Sequence, residues 1–320
     1  MVKFLNRWTL AVFIICLLFI APAFLGTYLT TLFFITFMFI SLSLSYDIMG
    51  GITGYLNFGH CTFFGIGAYT FGILYLSEFN LLLCFIAPVL VVMVYAALIS
   101  IPLFRIRGVY FCLASIGLVK LIEQLTLNLS DLTGGAAGMS VPTGQQLYPA
   151  YYMGATLAIL AFFINYKILR SKFGLALTSI REDEEVALSF GINTYRYKAL
   201  ALILSSAIAA FMGEVYIFYV TYTIPSDVFG IERVFSPVIM ALLGGTGTLF
   251  GPVIGAISIT VLQEILWSKL PYLHLTAYGI IFALVGLYMP GGILREPKVR
   301  VVLGRIAKVL GHFPKGDHEK

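Results

Sequence analysis

Apolar runs of about twenty residues recur along this 320-residue chain, and their length constrains it more than any motif. A helix rises about 1.5 Å per residue, so about twenty residues cross the ~30 Å hydrocarbon core of a bilayer. Sixty per cent of the residues are hydrophobic, above the roughly half-apolar make-up of soluble domains. The expected fold class is all-α, a polytopic integral membrane helical bundle. The runs fall at 8–26, 27–46, 60–78, 81–104, 108–129, 150–167, 199–221, 233–244 with 249–268, and 273–290.

Charge sets the expected orientation. Most basic residues cluster at Lys3 and Arg7, at Arg105 and Arg107, between Lys167 and Lys198, and from Arg295 to Lys320. Each cluster flanks an apolar span, as cytoplasmic loops do, so the net charge of +5 does not indicate nucleic acid. Both termini are then expected on the cytoplasmic side. That parity requires 233–268 to begin and end on the outer face, as two passes or as a re-entrant hairpin broken at "GGTGTLFGP". Glycine and proline interrupt helix there, and such backbone survives in a membrane only where protein buries it or water lines it. The count is eight crossings plus a hairpin, or ten. Residues 1–294 form one transmembrane domain with a cytoplasmic loop at about 168–198, and 295–320 form a basic cytoplasmic tail. The start of the chain, with Lys3, Arg7 and "APA" at 21–23, has the look of a signal peptide; the second apolar run directly behind it favours a retained helix.

A second glycine-dense stretch, "MGGITGYLNFGHCTFFGIGAYT", covers 49–70. The structural glycines are Gly50, Gly54, Gly65, Gly67, Gly244, Gly245, Gly247, Gly251 and Gly255, several at the four-residue spacing of close helix contacts. They serve either tight packing or broken helices lining a pathway. Polar residues in or near these breaks are the pathway candidates: Asn57, His60, Thr133, Gly134, Gly135, Thr246 and Thr248. His60 fits a helix–helix hydrogen bond or a ligand contact. Glu123, Glu214 and Glu264 also fall in apolar spans, where charge costs about 2.5–3.5 kcal/mol at the centre. Glu214 is either paired near the outer interface or lines the path. The cysteines, Cys16, Cys61, Cys84 and Cys112, and the four histidines are scattered, so they give no disulfide framework and no metal site.

Against this background "SIREDEEVALSFGI" (179–192) is out of place. Glu182, Asp183, Glu184 and Glu185 are four of the fifteen acids in the chain, in one row behind Arg181. Ser179 with Glu182 has capping-box spacing, and acids in a first turn suit the helix dipole. The expected helix runs from about Ile180 to Phe190 and stops at Gly191, with Val186, Ala187 and Phe190 on one face. It is a docking surface or a solvated helix that holds a loop in shape.

The segment "EVALSFG" (185–191) resembles the EAA-xxx-G loop of ATP-binding-cassette importer permeases, with Val186 in place of the middle alanine. Its surroundings strengthen the likeness: "GYLNFGHCTFFGIGAYT" (54–70), "RIRGVYFCLASIGL" (105–118), "TGGAAGM" (133–139) and "ALLGGTGTLFGPVIGA" (241–256) occur in one order. From about Ser43 to Gly292 the chain resembles the longer of the two paired permeases of branched-chain amino acid importers, a family that includes urea and short-amide importers. The resemblance implies a homologous second permease, two cytoplasmic ATPases and an extracytoplasmic solute-binding protein, in a bacterial or archaeal plasma membrane with lipid around it. It implies no cofactor on this chain, ATP and Mg being used by the ATPases, and the sequence has no GxxxxGK[ST] loop. The ATPase-coupling residues are then Arg181, Glu182, Glu185, Ala187 and Gly191: Gly191 ends the helix, Ala187 keeps the docking face flat, Glu185 pairs with a base on the partner, and Arg181 with Glu182 holds the loop. Branched-chain amino acids lead as solutes, and Glu214, where the family has a small apolar residue, points toward a more polar one. A self-sufficient secondary carrier would use Glu123, Glu214 and Glu264, but has no need of the capped cytoplasmic helix. An intramembrane enzyme would need a nucleophile or metal constellation, and none is seen; "GGTGTLFG" has the wrong spacing for a dinucleotide site.

Overall fold

In the computed structural model the described residues are 18–24, 26–144 and 146–269, together with 276, 279 and 280. The expected crossings at 8–26 and 273–290 and the tail 295–320 lie wholly or largely outside them. The other runs form helices close to their expected bounds: α1 (Thr27–Asp47), α2 (His60–Leu76), α3 (Leu81–Leu103), α4 (Val109–Asn128), α5 (Leu147–Leu169), the paired short helices α6 (Lys172–Glu182) and α7 (Glu184–Ser189), α8 (Thr194–Val220), α9 (Ile231–Gly244) and α10 (Gly251–Lys269). Among the described residues six helices are long and apolar enough to cross a membrane, and α2 is a shorter apolar helix. The chain is a multi-pass helical membrane protein. Helix α8 begins five residues before the expected 199, because Asn193 caps it by accepting from the Arg196 N–H.

Helix α8 is the axis of the bundle and packs against α1, α2, α3 and α5. Small residues allow this. A β-carbon on Gly213 of α8 would lie 2.0 Å from the Phe64 carbonyl oxygen of α2, and one on Gly67 would lie 2.4 Å from the Ala210 carbonyl oxygen. The two backbones therefore touch, which is how apolar helices gain contact where lipid offers no hydrophobic drive to associate. Buried Asn165 of α5 donates to the Leu44 carbonyl of α1 at 3.1 Å and ties a second pair. At the far end of α8 a two-residue antiparallel ribbon pairs Met139 with Thr223 and Ser140 with Tyr222, fastening the α4–α5 connection.

The last third is broken at the expected glycine-rich stretch, between α9 and α10. Helix α9 spans only 14 residues, about 21 Å, too short for the hydrocarbon core, and α10 returns beside it. A β-carbon on Gly255 would meet the Met240 carbonyl oxygen at 1.8 Å, and one on Gly244 the Gly251 carbonyl oxygen at 1.7 Å. Packing is thus the role of Gly65, Gly67, Gly244, Gly251 and Gly255. Gly50, Gly54, Gly245 and Gly247 belong to the breaks instead.

Gly213→Val forces a branched side chain into a backbone contact, and overpacking of this kind costs about 1–3 kcal/mol or more. Thermal unfolding in detergent is expected at a clearly lower midpoint than for Gly117→Ala, since nothing lies within 4 Å of Gly117. Equal midpoints would show that the α2–α8 contact does not set stability.

Candidate functional site

The two glycine-rich breaks, far apart in sequence, meet. Helix α1 runs into a wide π-turn at Ile48–Ile52, and the chain stays non-helical until α2 begins. The Tyr55 N–H donates to the Met49 carbonyl, and the Thr53 hydroxyl to the Ile48 carbonyl at 2.8 Å, so the loosened turn keeps its hydrogen bonds. Against it lies the α9–α10 break, where Gly245 and Gly247 take φ of 113° and 71°, values that only glycine adopts freely. Buried Asp47 accepts from the Gly247 N–H at 2.8 Å, and the Arg181 guanidinium donates to the Gly51 carbonyl at 2.8 Å. There is no room to spare. A β-carbon on Gly51 would lie 2.4 Å from the Gly247 nitrogen, one on Gly247 2.8 Å from Arg181 Nη1, and one on Gly54 2.4 Å from Arg181 Cγ.

Arg181 belongs to the arm formed by α6 and α7, and here the structure corrects the sequence reading. The expected single helix from Ile180 to Phe190 is two helices with a break at Asp183, whose φ of −159° and ψ of 114° are extended. Ser179 and Glu182 form no capping box: Ser179 lies inside α6 and donates to the Leu175 carbonyl. Asp183 is the cap, accepting from the Glu185 and Val186 N–H groups. Both sites carry capping residue types, and the one that leaves Arg181 on α6, within reach of Gly51, is used. Gly191 ends α7 as expected, with the Ile192 N–H returning to the Ala187 carbonyl at 3.1 Å. Ala187 does not present the flat outer face assigned to it; it is 2% exposed and faces inward. The exposed apolar side chains on α7 and just beyond are Val186, Leu188 and Phe190, the last 82% exposed.

The acid that matters most was not singled out. Glu184 accepts from Lys198 Nζ at 2.6 Å and from the Thr194 hydroxyl at 3.0 Å, both on α8. It also accepts from the Tyr55 hydroxyl in the first break, and Arg107 of the α3–α4 connection approaches to 3.8 Å. Lys198 is 2% exposed and also sits over the rings of Tyr55 and Phe104. A lysine inside the apolar run 194–220 is the signal that could have found this cluster. Burial pushes the Glu184 carboxyl up, but the hydrogen bonds from Lys198 and Tyr55 outweigh it and hold the carboxyl below the usual range. Burial, then the Glu184 carboxylate, pushes the Tyr55 phenol up. Glu185 pairs with Arg107 at 3.4 Å but is largely exposed, and Glu182 pairs with Arg181 at 3.3 Å. Exposed pairs of this kind contribute at most about 1 kcal/mol.

The pathway candidates scatter. Buried His60 shares a 2.8 Å hydrogen bond with Ser45 of α1, the helix–helix reading of that residue. Asn57 accepts from the Gly59 N–H and shapes its own turn. Thr133, with Gly134 and Gly135 beyond it, closes the turn after α4 by donating to the Thr126 carbonyl. Thr246 is half-buried in the second break, and Thr248 caps α10. Glu214 is fully buried, and among the described residues neither of its oxygens has a hydrogen-bond partner. Glu123 is paired with Lys120 at 2.6 Å and Glu264 with the Tyr28 hydroxyl.

Of all these residues, Glu264 alone lines a cavity formed by the described residues. It measures about 550 Å³ and lies between α1, the end of α8, the 226–233 segment and α10. Arg233 projects into its wall, with its guanidinium 4.8 Å from the centre of the Tyr216 ring. The sequence reading gave Arg233 no weight, because it stands at the first residue of an apolar run.

Interrupted helices that meet at their breaks inside a membrane bundle, tied to an arm outside it, define a transport permease. The chain belongs to the family described as branched-chain amino acid transport system / permease component, which matches residues 8–288. It is 28% identical to the high-affinity branched-chain amino acid transport system permease protein LivM of Escherichia coli K12, over 81% of this chain and 68% of that protein. It is 23% identical to the probable branched-chain amino acid transport permease protein LivM of Methanocaldococcus jannaschii, over 68% and 69%. The high-affinity branched-chain amino acid transport system permease protein LivH of Salmonella typhimurium is 26% identical over 82% and 92%. No solved structure matches the chain.

Removing one partner of a buried ion pair strands the other and costs about 3–5 kcal/mol. Glu184→Ala is therefore expected to lower the unfolding midpoint sharply, and adding Lys198→Met to restore most of it. A double variant no more stable than the single one would refute the pairing. Because the folded-state pKa of Glu184 is depressed, its contribution is complete above the ordinary carboxylate range and is lost as pH falls through the lower folded value.

Proposed function

We propose that this chain is the membrane-spanning permease subunit of an ATP-driven importer of branched-chain amino acids. It sits in a bacterial or archaeal plasma membrane with both termini cytoplasmic. It pairs with a homologous permease, takes solute from an extracytoplasmic binding protein, and is driven by two separate ATPases that use ATP and Mg. The family match supports the class of solute, and likeness to both LivM and LivH proteins supports pairing with a homologue.

The observation that carries the coupling mechanism is the double attachment of the arm. An ATPase gripping the exposed Phe190 and Val186 side chains would move α7. Glu184 passes that displacement to α8 through Lys198, while Arg181 passes it to the junction of the two breaks through the Gly51 carbonyl. At the junction Gly54, Gly245 and Gly247 hold positive φ, a region glycine enters and leaves without strain. The broken helices are therefore the parts that yield, and α8 is the beam they move against.

Phe190→Asp places a charge on the docking face without touching the attachment. In vesicles carrying the whole transporter, ATP-dependent uptake of labelled leucine is expected to fall to background, with the permease still inserted and folded. Undiminished uptake would sink the docking assignment. Uptake of labelled urea in place of leucine would move the solute to the short-amide members, and uptake that follows a proton gradient without ATP would overturn the importer reading.

A further inference from the structure

We infer that the cavity walled by Arg233 is a binding site for a free α-amino acid, with Arg233 receiving the carboxylate and Asp227 the ammonium. The inference rests on the importer reading and gives it a location. An arginine against an apolar segment costs free energy to hold there and marks a functional site by default. This one is held in place by three rings and a backbone carbonyl rather than by an acid: its guanidinium lies 4.8 Å from the Tyr216 ring centre, 5.7 Å from Phe39 and 5.8 Å from Phe64, and Nε donates to the Asp227 carbonyl oxygen at 3.1 Å. Among the described residues it makes no ion pair. Its Nη1 also lies 3.7 Å from the Met38 sulfur, a weak acceptor, so a planar carboxylate offering two parallel hydrogen bonds would be a far stronger partner for the outer N–H groups.

The same wall supplies the opposite charge. Asp227, Glu232 and Glu264 all line the cavity. Glu264 is engaged by the Tyr28 hydroxyl and Glu232 by the Gln263 amide, whereas the Asp227 carboxylate has no hydrogen bond among the described residues. A cation and an anion on one wall suit a zwitterion. Phe34 and Ile35 of α1 also line the cavity and offer an apolar surface for a hydrocarbon side chain. A volume of about 550 Å³ falls in the ordinary range of small-molecule sites. Its position is also apt. Tyr216, Tyr219 and Val220 place it at one end of α8, and Lys198 with the docking arm stands at the other, roughly 30 Å away by helix rise. Solute would enter the permease at the end remote from the ATPases.

The test uses Ser226→Cys on the cavity rim, in the whole membrane complex without its binding protein, so that docking cannot shield the thiol. Labelling of the introduced thiol by a small charged reagent is followed by mass spectrometry, which separates it from the native cysteines. Millimolar leucine is expected to slow labelling several-fold, and leucine amide, which lacks the carboxylate, to have little effect. In the Arg233→Gln background leucine protection should vanish, while Arg233→Lys should keep most of it; an unchanged labelling rate without leucine shows that both variants are folded. Equal protection by leucine and leucine amide, or full protection in Arg233→Gln, would overturn the proposal. If the parent complex imports leucine but leucine does not protect the introduced thiol, the cavity assignment alone falls. If the parent complex imports no branched-chain amino acid, the importer reading falls first.

Discussion

A helix interrupted inside a membrane exposes N–H and C=O groups that lipid cannot satisfy, and each costs several kcal/mol if left alone. This permease meets that demand at one junction, where the helix leading into the first break satisfies the second and the arm satisfies the first. Asp47, at the end of α1, takes the Gly247 N–H, and Arg181 gives to the Gly51 carbonyl. A carboxyl group and a guanidinium at one junction each cap backbone freed by a break. The positions of α1, the α9–α10 hairpin and the arm follow from that exchange. None of the three could shift far without stranding a buried polar group.

The arm then serves two ends. The acidic row that looks like a single helix start divides its labour residue by residue. Glu182 faces solvent beside Arg181, Asp183 caps α7, Glu184 roots it in the bundle, and Glu185 meets Arg107 at the surface. Helix α8, in backbone contact with α2 and hydrogen-bonded to Glu184 at its first turns, is the stiffest route from that arm to the cavity walled by Arg233.

How much of this the sequence discloses depends on the range of the interaction. Helix lengths, the two breaks and the stop at Gly191 follow from apolar run length and from glycine chemistry, both local, and both were legible. The start of α7 was not, because Ser179 and Asp183 have equal local claims and a contact 130 residues away at Gly51 decides between them. The expected common face of Val186, Ala187 and Phe190 divides for the same reason: the neighbouring bundle takes Ala187 inward and leaves the other two exposed. Lys198 and Arg233 were hidden by their settings, Lys198 as the last member of a basic loop cluster and Arg233 as a lone cation at the start of an apolar run.

Helix α7 has six residues, fewer than two turns, and so short a helix does not hold itself together in water. Its shape is lent to it by the Asp183 cap, the Gly191 stop and the ties from α8, the first break and the α3–α4 connection. The docking surface is therefore not a detachable part. A peptide cut from this stretch would lack that form, and the surface of Val186, Leu188 and Phe190 exists only where the membrane-embedded body has already folded, so a misfolded permease would offer the proposed ATPase nothing to hold.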